Sequence, residues 1–109
     1  MFIIKYLIVA VLLLPLSAFA SDWSVPTKVV EINTGYKSGM IIFRTEQPHL
    51  NPSNTCNGAA YATTSAIANI EQILSVLLAA QRSGALVQVG VDSAQCAASY
   101  IAVTRIRAL

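Results

Sequence analysis

Charge is scarce in this chain: Asp, Glu, Lys and Arg make up only 11% of its 109 residues. Beyond residue 20 the cations are scattered at Lys28, Lys37, Arg44, Arg82, Arg105 and Arg107. A surface that neutralises phosphates needs them clustered, so nucleic acid is not an expected partner. Histidine is confined to His49, in a loop bounded by Pro48 and Pro52. No cysteine or second histidine stands at ligand spacing from it. No metal centre is expected, and His49 reads as a solvated loop residue. The carboxylates Asp22, Glu31, Glu46, Glu71 and Asp92 are isolated in sequence, which gives no acid/base pair. The nucleophile elbow, the zinc-protease helix motif and the glycine-rich phosphate loop are missing as well. The expectation is a non-enzymatic protein with no cofactor.

What is present starts with one long apolar run. Residues 6–16 are almost wholly hydrophobic, Lys5 precedes them, and Ala18-Phe19-Ala20 follows. A charged start, a short apolar stretch and a small-x-small end make a secretory leader. Spanning a bilayer would take about 20 apolar residues, more than this run supplies. Residues 1–20 are expected to be a signal peptide and residues 21–109 a single small domain, secreted or periplasmic, with no membrane insertion after cleavage. Cys56 and Cys96 both fall in the exported part. An even pair in an oxidising compartment predicts one disulfide. Closing a loop of about 40 residues would stabilise the fold by roughly 4 kcal/mol.

Residues 28–34 are β-branched and lie between Pro26 and Gly35, which predicts a strand. Tyr36-Lys37-Ser38-Gly39 is a turn with Gly39 suited to positive φ, and residues 40–45 return as a second strand. A loop rich in proline and asparagine fills 46–57, and residues 58–63 form a third strand. A helix follows, capped by Thr64 or Ser65 and ended by Gly84. Its inward face is Ile67, Ile70, Leu74, Leu77 and Leu78. Ile73, Val76 and Ala80 form a second apolar flank, which reads by default as core and alternatively as the candidate oligomer interface. Residues 86–91 make a fourth strand, residues 92–98 a loop carrying Cys96, and residues 99–109 a fifth strand. This is a mainly β, α+β order: a small five-stranded OB-fold-like barrel with one helix between strands 3 and 4.

Asn51-Pro52 with Cys56 and Tyr61, the helix end Leu77-Leu78-Ala79-Ala80-Gln81-Arg82-Ser83-Gly84, the strand at 87–91, Cys96 and the closing strand carry a likeness. Together they resemble a family of small exported bacterial proteins similar to AB5 toxin B subunits, of the subtilase-cytotoxin and pertussis-like type. The resemblance spans nearly all of residues 21–109. It implies a homo-oligomer, a pentameric ring around a helix-lined pore, that binds sialylated glycans at the cell surface. The family's sialic-acid serine, just before the first strand, falls on Val25-Pro26-Thr27 here, with Ser24 and Thr27 out of register.

Trp23 and Tyr36 are the candidate ligand-binding residues. Trp23, the sole tryptophan, either stacks on a sugar ring or covers one end of the core, the second being the more common role of such a residue, and Tyr36 sits on a turn where core packing does not account for it. Asn33 and Asn57 could add amide hydrogen bonds. A rival function of the same size class is a periplasmic inhibitor or chaperone-like protein that caps a protein target.

Overall fold

The structure, a computed structural model, describes residues 23–109. The leader expected at 1–20 lies outside the described residues. The β-branched run between Pro26 and Gly35 folds as β1 (Val29–Asn33). The turn closes as expected: Gly39 N–H donates to the Tyr36 carbonyl at 2.9 Å, and Gly39 has φ 77°. A side chain resists that left-handed conformation. β2 (Ile41–Thr45) returns antiparallel, pairing Asn33 with Ile42 and Glu31 with Arg44.

The loop after β2 carries a short 3-10 turn (Pro52–Asn54) and is tied down at its end. Asn51 Oδ1 accepts from Cys56 N–H at 3.2 Å, and the Cys56–Cys96 disulfide joins this loop to the far end of the chain with a Cα–Cα distance of 5.9 Å. β3 is shorter than expected, only Tyr61–Thr63.

The helix, α1, spans Ile70–Ser83 and not 64–83. Asn69 is its cap, its side chain accepting from Gln72 N–H at 3.2 Å, and Gly84 ends it at φ 70°. The N–H groups of Ile67 and Ala68 instead close a turn on the Thr64 carbonyl. The buried arc differs from the expected one as well. Ile73, Leu77 and Ala80 are the buried residues of α1, whereas Leu78, expected inside, is 45% exposed. Residues three and four apart share a helix face, and 73-77-80 is the buried row of a helix that packs on β1 and β5. Two members of the expected interface flank, Ile73 and Ala80, therefore belong to this chain's own core, and only Val76 of that flank reaches the surface.

β4 (Val87–Ala97) and β5 (Tyr100–Ala108) form the longest hairpin. The loop expected at 92–98 is mostly strand, because pairing with β5 holds it extended from Cys96↔Ile101 to Ala97↔Tyr100. Its loop-like composition survives as a bulge: the register slips between Asp92 and Cys96, where Asp92 Oδ1 accepts from Ala94 N–H at 3.0 Å.

The five strands make one mixed sheet in the order β1-β2-β3-β5-β4, with β3 and β5 parallel and the other pairs antiparallel. The helix lies between β3 and β4 in sequence, as expected. The sheet is not closed into a barrel. The chain ahead of β1 nevertheless reaches β4 through two isolated bridges, Trp23↔Gly90 and Thr27↔Val87. Thr27 and Val87 exchange backbone bonds of 2.8 and 2.9 Å. The core gathers Phe43, Tyr61, Leu77, Ile101 and the β4 valines. Phe43 stacks on Tyr61 at 5.2 Å.

Candidate functional site

Side chains on a strand alternate between faces, so Glu31 and Asn33 on β1 share the outer face with Ile42 and Arg44 on β2. The register sets Glu31 opposite Arg44. Arg44 Nε donates to Glu31 Oε1 at 3.0 Å, and Asn33 Nδ2 donates to the same oxygen at 3.3 Å. The Arg44 hydrogen bond, then the Asn33 bond and the guanidinium charge, hold the Glu31 carboxyl below the usual glutamate range. The pair is exposed to solvent, so its main effect is to fix three polar side chains in one place.

Two tyrosines flank this group. Tyr36, on the hairpin turn, is 50% exposed, and Tyr100 is half-buried at the start of β5. With Ala59 and Ala60 they complete a cleft of about 360 Å³. Gly58 N–H donates to the Ser99 carbonyl at 2.6 Å, which pins the β4–β5 turn against residues 58–60, the floor segment of the cleft. A second cleft of about 190 Å³ adjoins the first, sharing Arg44, Ala59 and Ala60 and adding Gln47, Pro48 and His49. One exposed and one half-buried aromatic ring beside fixed amide, carboxylate and guanidinium groups suit a ligand with apolar faces and hydroxyl edges.

The structure brings Tyr36 and Asn33 together in this cleft and leaves Trp23 out of it. Trp23 is half-buried beside β4, with the guanidinium carbons of Arg105 and Arg107 at 4.4 and 4.1 Å from its ring centroid. That aromatic face is engaged by cations from the same chain. Asn57 is exposed beside Cys56 and lines neither cleft. Sequence reasoning missed Glu31, Arg44 and Tyr100. The first two were readable from strand alternation once the hairpin register is fixed. Tyr100 arrives by the parallel β3–β5 pairing, which no local pattern announces.

His49 departs from the solvated loop residue expected. It is half-buried and edge-on to Tyr61 at 6.1 Å, and its Nε2 is buried without a hydrogen-bond partner among the described residues. The neighbouring Leu50 N–H donates to the Tyr61 hydroxyl at 2.7 Å, and burial pushes that hydroxyl's pKa up. On α1, Val76 and Ala79 with Ala85 and Ala108 border an apolar cleft of about 380 Å³. Among the described residues, no group of three His, Cys, Asp or Glu side chains could hold a metal ion, and no helix is long and apolar enough to cross a membrane. No family model, curated protein or solved structure matches this chain.

Proposed function

We propose that this chain is an exported, non-enzymatic carbohydrate-binding module, built on an OB-fold-like barrel and comparable in role to an AB5 toxin B subunit. The observation that carries the binding reading is the cleft in which Tyr36 and Tyr100 flank the bonded group Asn33, Glu31 and Arg44. Sugar rings offer apolar faces to aromatic side chains and hydroxyls to amides, carboxylates and guanidinium groups. The disulfide supports an oxidising compartment, secreted or periplasmic. The barrel reading is supported by the order β1-β2-β3-β5-β4, the parallel β3–β5 pair, the helix between β3 and β4, and the bridges that carry Trp23 and Thr27 to β4.

The test is a glycan array with the wild-type chain, Tyr36→Ala and Asn33→Ala. Wild type binds a defined subset of glycans, and both variants lose that signal while keeping the wild-type circular dichroism. An array with no wild-type signal removes the carbohydrate reading. A second reading, a homo-oligomer or a cap on a protein target, is favoured by the apolar cleft along α1 and by the exposed Leu78. Sedimentation velocity separates the two forms of it: a pentamer supports the ring, and a monomer leaves the inhibitor or chaperone-like role.

A further inference from the structure

Resting on the carbohydrate reading, we infer that the two adjoining clefts are one groove for a neutral oligosaccharide of at least two rings. The clefts share Arg44, Ala59 and Ala60. The two alanines have no side chain beyond Cβ with which to build a wall, and the Arg44 side chain is drawn towards Glu31 on the side of the larger cleft. The halves differ in chemistry. The larger has the rings of Tyr36 and Tyr100, suited to stacking, and the smaller has Gln47 and Glu46, suited to hydroxyls. Arg44 stands at the junction. Its Nε is taken by Glu31, and its two Nη groups have no partner among the described residues. They are donors placed where a glycosidic linkage and its flanking hydroxyls would cross from one half to the other.

Charge decides the class of sugar. The groove is lined by the carboxylates of Glu31 and Glu46 against the single guanidinium of Arg44. An acidic sugar seeking Arg44 must compete with Glu31, which Asn33 also holds, and must approach Glu46 as a like charge. Like charges brought together disfavour binding, so the groove selects neutral rings.

The experiment is calorimetric titration of the full chain with neutral glycans of one to four rings, drawn from the array hits, and with sialic-acid-capped glycans of equal length. Affinity is expected to rise about tenfold or more from one ring to two, and to fall by about tenfold when the cap is acidic. Gln47→Ala, which keeps its backbone bond to Thr27, is expected to weaken the two-ring ligand and leave the single ring unchanged. Glu46→Gln is expected to narrow the gap between neutral and capped ligands. Equal affinity for one ring and two, or tighter binding of the capped series, overturns the inference while sparing the carbohydrate reading. Absence of binding by every glycan overturns that reading and this inference with it.

Discussion

Gly58 lies directly against Tyr100: a Cβ built on Gly58 would sit 2.8 Å from the Tyr100 Cε1 and 2.9 Å from the Ser99 carbonyl oxygen. Backbone cannot step aside as a flexible side chain can. Gly58→Ala should therefore displace the Tyr100 ring from the cleft and cost about 1–3 kcal/mol as overpacking. Thermal melts and glycan binding read the two effects. Unchanged binding with an unchanged melt would mean that the ring and turn give way freely, and that the seat of Tyr100 is not fixed by this contact.

The disulfide ties the floor segment to the hairpin that brings Tyr100. Replacing Cys56 and Cys96 together by alanine should cost about 4 kcal/mol, chiefly by freeing the unfolded chain. Denaturant titration measures this, and a loss of less than about 1 kcal/mol would contradict the entropy argument at this loop length. Glycan affinity should drop as well, because the floor and Tyr100 then lose their covalent link.

On α1 the prediction separates two adjacent leucines. Leu77 is fully buried and Leu78 is 45% exposed. Leu77→Ala should destabilise by about 2–5 kcal/mol, and Leu78→Ala by no more than about 1 kcal/mol in the isolated chain. Equal losses would show the helix to be turned from the orientation described. If Leu78 lies in a subunit contact, its substitution shifts the sedimentation profile instead of the melt.

Glu31 gives a pH dependence with a definite sign. Its carboxyl is held below the ordinary value, so the ion pair is fully present above that value and is lost as pH falls through the lower one. Because the pair is exposed, the consequence is for cleft geometry more than for stability. Carbon-detected NMR titration should find Glu31 below the usual glutamate range in wild type and raised towards it in Arg44→Ala, where only the Asn33 bond still lowers it. An ordinary value in wild type would mean that the bond to Arg44 is not maintained in solution.

Several of these residues are legible in the sequence. Pro26 and Gly35 bracket β1, Gly84 ends the helix, and Tyr36 sits on a turn because its neighbours Ser38 and Gly39 make one. The elements that escaped depend on distant partners. Residues 92–97 have the composition of a loop and become strand only by pairing with β5. The helix start and its inward arc also escaped: Thr64, Ser65 and Asn69 are all competent caps, and because apolar residues cover more than one face of α1, which arc is buried is decided by packing on the sheet, where Ile73 and Ala80 are buried and Leu78 is exposed. The cleft follows the same division. Asn33 and Tyr36 come from one hairpin, whereas Tyr100 depends on a strand order that local patterns do not encode.

The contact of Trp23 with Arg105 and Arg107 makes the chain its own optical probe. With one tryptophan in the sequence, emission excited at the indole band arises from a single location, the join between the segment ahead of β1 and the β4–β5 hairpin. Detachment of that segment would change the fluorescence before the ellipticity of the sheet moved. Concerted loss of both signals would instead mean that the join and the sheet unfold as one cooperative unit.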